Sequence, residues 1–292
     1  MGRMVISTSS SGLDNLKIHN NIQLIRLRMI VNNVEFIDGE NISNESLQYV
    51  MSEIGCSGVK TSPTPIDEIV QLFTKLYHDG YRELFITTLS SKMSKSHEII
   101  QSVADEFADR MNIYVYDCKE LNVCEGMLAL EAEYLMKQGK SLPEIAQRLD
   151  QLRSHHKMLF AVDDLSYLIK NKKLSATAGF FANVLNIKPV LQVRDDGAIV
   201  AVSKIRKFER ALNYMVDDFA ESIKNKNSFP YVLTAGRTEV DEYFVQLLKR
   251  RLHIDHITIL PVSSISLANH GPTGVGLCVF DGVVPHAAKY YQ

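Results

Sequence analysis

The sequence predicts an α/β protein of two domains sharing a cleft: an N-terminal parallel sheet flanked by helices in Rossmann-like order, then a C-terminal mixed α/β sheet domain. Three observations predict it. Short apolar runs ending in hydroxyls alternate with helix-periodic runs through the first half. The second half changes to strand-like runs, two of them joined by a tight turn. The chain of 292 residues, 46% of them hydrophobic, also exceeds what one core usually absorbs. The division falls near residue 157, giving domains 1–157 and 158–292.

Residues 24–31 read as a strand, and "VNNVEFIDGE" after them as a turn, because Asn-Asn and Asp-Gly tolerate turn conformations. "IDEIVQLFTKLYHDG" sets Ile66, Ile69, Val70, Phe73, Leu76 and Tyr77 at helical spacing and stops at Gly80. "ELFITTL" is a short buried strand, followed by a helix from about Ser94 with His97 in its first turn. "NIYVYD" is a strand; "EGMLALEAEYLMKQG" and "SLPEIAQRLDQLRSH" are helices, Pro143 suiting a first turn. Past "HHKMLFAVDDLSYLI", "KPVLQVRDDGAIVAVSKI" reads as two strands joined at Asp195, Asp196 and Gly197. "YVLTAG", "HITILPV" and "GVGLCVF" are further strands, separated by helices at 207–224 and 239–252.

Charge narrows the function. Lys+Arg 32 against Asp+Glu 34 leaves a net charge of -2, with no global field to gather nucleic acid or anionic lipid. "MGRMVISTSSSG" lacks the apolar core of a signal peptide, and Ile6 occupies the position where a myristoylation motif needs Ser or Thr. No run approaches the ~20 apolar residues of a membrane span, so we expect a cytoplasmic protein without stable membrane insertion. Cys56, Cys118, Cys124 and Cys278 have no zinc or redox-pair spacing and read as reduced, mostly buried thiols. Adjacent His155 and His156 diverge on a helix, and His78, His97, His253, His256 and His286 form no ligand pattern, so no metal is expected.

The chemistry lies in hydroxyls. "KTSPTPIDEI" sets Thr61 and Ser62 just ahead of a helix start, where a hydroxyl either caps the helix or helps hold an anion; two of them allow one to do each. "TTLSSKMSKS" repeats the arrangement with Ser90, Ser91, Ser94 and Ser96, and "VISTSSSGL" is a third such loop after a first strand. In parallel α/β sheets the loops at the carboxyl ends of strands converge on the ligand. "NHGPTGVG" offers His270 beside a glycine-rich turn that can aim backbone N–H groups at an anion, although it is neither a P-loop nor a dinucleotide fingerprint. An esterase or thioesterase using Ser94 and His270 is the catalytic alternative; the chain lacks Gly-x-Ser-x-Gly.

Together these segments resemble the DegV family of fatty-acid-binding proteins, which includes the acyl-carrying subunit of bacterial fatty acid kinase. "KTSPTP" resembles its Lys-Thr-Ser-Gln-Pro-Ser block and "LSSKMSKS" its Leu-Ser-Ser-x-Leu-Ser-Gly-Thr block. "LNIKPVLQVRDDGAI" resembles its Leu-x-Ile-Lys-Pro-Ile-Leu block with hairpin, and "HGPTGVG" its ending. Order and spacing agree over almost the whole chain. The resemblance implies one long-chain fatty acid of the palmitate, stearate or oleate class, its tail in an apolar tunnel between the domains. Thr61 and Ser94 would bond the carboxylate, Ser62 would line the site and His270 would sit beside it. It implies a substrate-presenting subunit with no catalytic residues and no cofactor of its own, whose ligand a separate ATP-binding kinase subunit phosphorylates. Thr8-Ser9 stands where the family has Asp-Ser, and "NKKL" where it has Gly-Gly-Arg-Ile, leaving Ser9 and Lys173 as site-rim or kinase-partner positions. The family glycine after Ser94 is Lys95. These departures leave room for a lipid-loaded regulatory protein without a kinase partner.

Overall fold

The computed structural model describes residues 2–52, 58–174, 187–236 and 239–291. The chain runs β1 (Gly2–Thr8), β2 (Gln23–Ile25), β3 (Arg28–Val31), β4 (Val34–Ile37), α1 (Asn44–Ser52), β5 (Lys60–Ser62), α2 (Ile66–His78), β6 (Tyr81–Thr88), α3 (Ser96–Glu106) and β7 (Asn112–Asp117). It continues through α4 (Val123–Lys137), α5 (Leu142–Ser154), β8 (His156–Val162), α6 (Ser166–Lys170), β9 (Leu191–Val193), β10 (Ile199–Ala201) and α7 (Phe208–Lys224). Last come β11 (Phe229–Thr234), α8 (Glu239–Leu252), β12 (Thr258–Pro261), α9 (Ser264–His270) and β13 (Gly274–Phe280).

Among the described residues the strands form three sheets. The first has the order β2-β1-β6-β7 and is parallel throughout. Period-two alternation sends Ile6, Leu84 and Ile86 to one face, against Ile69 and Phe73 of α2 and Ile100 and Val103 of α3. Val5 and Phe85 face the other way, toward α4. The second sheet, β10-β9-β8-β13-β11-β12, is mixed: β11 and β12 run parallel and its other pairs antiparallel. One of its faces packs on α7 and α8 through Leu159, Val232 and Leu277. Its other face shares a continuous apolar core with α4 and α5, through Met158, Tyr231, Cys278 and Phe280. Of these two helices α4 is enclosed from both sides, every residue from Val123 to Ala132 being buried, whereas α5 keeps an exposed face.

The third sheet, β4-β3-β5, corrects two local expectations. Residues 24–31 are not one strand. Backbone at 26 and 27 turns the chain so that β2 joins the parallel sheet and β3 the small antiparallel one. The supposed turn after it contains β4; only Asn32 and Asn33, at φ 51° and 65°, make the hairpin bend. Sequence reasoning also passed over α1, α6 and α9.

Elsewhere the local chemistry acts as anticipated. Ser141 and Glu144 form a reciprocal capping box at the start of α5, with Pro143 in its first turn. Residues 195–197 join antiparallel β9 and β10, and Gly197 at φ 85° tucks the hairpin tip against the first sheet, where Ser90 Oγ donates to Gly197 O at 2.8 Å. Asn122 makes a second tie across the sheets: its Oδ1 accepts from Ser263 N and Val123 N, both at 3.0 Å.

A Cβ on Gly197 would stand 2.2 Å from Ser90 Oγ. Gly197→Ala is expected to lower the unfolding free energy by about 1–3 kcal/mol through left-handed strain and loss of this clasp. A urea titration would show it as a lower midpoint at unchanged slope. Gly139→Ala is the control: φ is 79° there too, but nothing lies within 4 Å of the added carbon, so it should cost distinctly less.

Candidate functional site

A pocket of about 390 Å³ opens between the parallel sheet, the small sheet and the second half of the chain. Its wall is mostly apolar, with Leu27, Leu89, Met93, Phe160, Leu168 and Ile265 contributing. Thr61, Ser62, Ser94 and His270, the four head-group residues anticipated from sequence, all line it. Size and lining suit a small amphipathic guest; ligand pockets commonly span about 300–1,000 Å³.

Each of the four arrives by a different route. Thr61 and Ser62 belong to β5, held by antiparallel pairing of Met29 with Thr61 and Arg28 with Ser62. The expectation that one of them caps the following helix is corrected: Pro65 is the N-cap residue of α2 and makes no side-chain cap bond. Pairing in β5 fixes both hydroxyls ahead of the helix, and Thr61 Oγ1 instead accepts from Asn269 Nδ2 at 3.2 Å. Ser94 lies just outside α3, which begins at Ser96 with Lys95 as N-cap. Its Oγ accepts from Ser96 N at 3.2 Å and lies 2.9 Å from Ser96 Oγ. His270 is the last residue of α9, a helix capped by Ser263 Oγ and buried along most of its length.

His270 Nδ1 and Asn269 Oδ1 are enclosed and have no hydrogen-bond partner among the described residues. Desolvation lowers the His270 imidazole to about 4, so at neutral pH it is uncharged, with one ring nitrogen free to donate. Cations collect at the pocket: Lys92, Lys95, Lys172 and Lys173 line it, and no carboxylate does among the described residues. A chain of net charge -2 thus presents a locally positive cavity. Lys173 Nζ donates to Met93 O at 2.6 Å, and burial depresses its ammonium below the ordinary lysine value.

Ser9 does not join the rim. It is 3% exposed, and its Oγ accepts from Leu27 N at 3.1 Å; Ser10, one residue on, lines the pocket instead. The first hydroxyl loop serves chiefly an internal carboxyl. Thr8 Oγ1 and Ser7 Oγ reach Glu125 Oε1, and Ser10 Oγ reaches Oε2 at 2.6 Å. Full burial on α4 pushes Glu125 up to about 8, so near neutrality the group is largely protonated and donates one of these bonds itself. The hydroxyls of this loop thus solvate a carboxyl that comes from a different element. A carboxylate inside the apolar run "EGMLALEA" was the signal for it, because a helix buried on all sides must give its charged residues partners.

Gly274 and Gly276 lie in β13, the strand expected at "GVGLCVF", so only the start of "HGPTGVG" is left to turn. The histidine reading also needs amendment. Glu120, Cys124 and His156 bring one donor atom each within 4.8 Å of one another, a grouping that no sequence spacing suggests. Both ring nitrogens of His156 are engaged, Nδ1 with Glu120 Oε1 at 2.8 Å and Nε2 with the Tyr231 hydroxyl at 2.9 Å, so the cluster is a hydrogen-bonded bridge between the sheets. Cys118, Cys124 and Cys278 are buried free thiols that desolvation keeps protonated; Cys56 lies outside the described residues. For an esterase, Ser94 would need a base within hydrogen-bond reach, yet its hydroxyl pairs with Ser96 and His270 Nδ1 pairs with nothing among the described residues.

The sequence profile described as "Uncharacterised protein, DegV family" matches residues 4–281. The chain belongs to the DegV family. A DegV domain-containing protein of Clostridium acetobutylicum is 28% identical over 266 residues, 90% of this chain and 92% of that one. One from Staphylococcus aureus is 27% identical over 283 residues, 95% and 98% of the two chains. Among solved structures, the fatty-acid-binding DegV family protein of Streptococcus agalactiae superposes with TM-score 0.82 at 20% identity, over 96% of this chain and 99% of that one. A stearic-acid-binding protein of Eubacterium ventriosum gives 0.80 at 21% identity, over 96% and 99%. These likenesses agree with the mixed α/β architecture. Among the described residues of this DegV protein, no helix is long and apolar enough to cross a membrane.

Because folding raises Glu125 from 4.5 to about 8, its contribution to stability is full below pH 4.5 and is lost as pH rises through 8. Asp38, raised by burial from 3.8 to about 6, adds a loss of the same sign at lower pH. His270, depressed from 6.5 to about 4, acts oppositely, its contribution lost as pH falls. Glu125→Gln is therefore expected to flatten the decline of Tm between pH 5 and 8.5 while leaving the acid limb in place. Thermal scans of both proteins across that range are the check.

Proposed function

We propose that this DegV protein binds one long-chain fatty acid, its carboxylate held by Thr61, Ser62, Ser94 and His270 and its tail enclosed by the apolar wall. One observation carries the reading: four polar residues from three distant stretches line a single, mostly apolar pocket that has four lysines and no carboxylate among its described lining residues. The named ligands of the structural neighbours support it, stearic acid in one and heptadecanoic acid in another. On this reading the halves 1–157 and 158–292 close over the guest, and the protein contributes no catalytic residue.

The energetics are consistent. Roughly fifteen methylenes at ~0.8 kcal/mol each give about 12 kcal/mol before ordering costs. The head group need only avoid opposing burial. Hydrogen bonds to a charged group contribute about 1.5–3 kcal/mol each, and they are supplied by side chains already fixed in β5 and next to α3. The pocket lysines lower the cost of an anion further, and a neutral His270 donates one hydrogen bond without itself needing to be charged.

We further propose that the bound acid is presented to a separate ATP-dependent kinase subunit, with Lys173 at the contact. Its half-buried ammonium keeps the charge of the family arginine without the planar fork. A lipid-loaded regulator that lacks such a partner is the competing reading.

Two outcomes are expected. Organic extraction of the purified protein followed by mass spectrometry should return stoichiometric fatty acid. Thr61→Ala and Ser94→Ala should each weaken rebinding about tenfold or more with the far-UV spectrum unchanged. A preparation that is empty and refuses added acid sinks the reading. Separately, mixing the loaded protein with a purified fatty acid kinase ATP subunit and ATP should yield acyl phosphate; its absence, with loading intact, removes the partner from the proposal and leaves the regulator.

A further inference from the structure

The amide of Asn269 has a place in the site that neither its helix nor the core accounts for. The residue lies on α9, is 9% exposed, and lines the pocket next to His270. Its Nδ2 donates to Ile265 O at 2.7 Å, one turn back, and to Thr61 Oγ1 at 3.2 Å. Ile265 O can only accept, so the amide is oriented with Nδ2 facing it, and both hydrogens of that nitrogen are engaged. Its Oδ1 is enclosed and has no partner among the described residues, a cost to folding that a leucine of similar size would not incur. Asn171 braces the pair: its own Nδ2 donates to Ala268 O at 3.2 Å, beside Asn269, and to Val59 O at 3.4 Å, two residues ahead of Thr61.

We propose that Asn269 is a positioning residue that makes the site choose a carboxylate over an alcohol of the same chain. The inference rests on the fatty-acid reading above. A hydroxyl has one hydrogen to donate. The Asn269 N–H occupies a lone pair of Thr61 Oγ1, and that oxygen has no other hydrogen bond among the described residues, so its hydrogen is left for the guest. An ionised carboxylate offers only acceptors and takes it in a charge-assisted bond. An alcohol oxygen is uncharged, and its own hydrogen competes for the same Thr61 oxygen. Without the amide the Thr61 hydroxyl is free to turn and present that oxygen, which suits the alcohol and opposes the acid.

The test offers delipidated protein a mixture of palmitic acid and 1-hexadecanol and reads the retained acid-to-alcohol ratio by mass spectrometry. Wild type should favour the acid, and Asn269→Leu should lower that ratio about fivefold with the far-UV spectrum unchanged. Thr61→Val should lower it at least as far, and adding Asn269→Leu to Thr61→Val should lower it no further, because the amide acts through the hydroxyl. A merely structural role would reduce the total retained and leave the ratio alone. Should Asn269→Leu fail to fold, Asn269→Ser takes its place: the serine hydrogen bonds back to Ile265 O and leaves none for Thr61. An unchanged ratio, an additive fall in the double variant, or loss of folding in both Asn269 variants overturns the inference and leaves fatty-acid binding standing. A wild type that retains the alcohol as readily as the acid overturns it too. A wild type that retains neither guest sinks the fatty-acid reading itself, and this inference with it.

Discussion

A carboxyl group sealed inside an apolar helix must find hydrogen bonds, and much of this structure is arranged around that demand at Glu125. Its side chain is wholly enclosed, and Ser7, Thr8 and Ser10 supply its partners. Their loop is pressed onto α4 where Gly126 leaves no Cβ, which would otherwise meet Ser11 O at 2.7 Å. With that loop fixed, Ser9 Oγ is presented to Leu27 N, the point at which the chain leaves the parallel sheet for the small one. The small sheet in turn carries Thr61 to Asn269 of α9. A line of bonds thus runs from a buried proton-bearing group to the pocket wall.

Much of the fold could be read from pattern, and the reasons are local. The parallel sheet followed from strands and helices in alternation, α5 from a capping box, and the β9–β10 hairpin from Asp195, Asp196 and Gly197. Each of these is decided within a few residues. What escaped was decided at long range. The prolines after Ser62 read as a helix leader, and only pairing with β3, some thirty residues earlier, makes β5 a strand. The same pairing turned a supposed capping hydroxyl into a pocket hydroxyl.

The site shows the same division. A family spacing named Thr61, Ser62, Ser94 and His270 together, and all four line one pocket. Ser9 turns inward to Leu27 N, and Ser10, the next residue of a short 3-10 turn, holds the position at the wall. Sequence offered no route to the Glu120, Cys124 and His156 grouping, whose members come from a loop, a helix start and a strand of the other sheet.

The pocket takes its lining from β5 of the small sheet, β8 and β10 of the six-stranded sheet, α6, α9 and the loops after β1 and β6, so it exists only while these parts are assembled. Whatever occupies it binds the folded chain and not the unfolded one, and mass action then ties the protein's resistance to proteolysis to the supply of its guest. Loss of the guest would then shorten the lifetime of the folded chain with no change to any of its own residues.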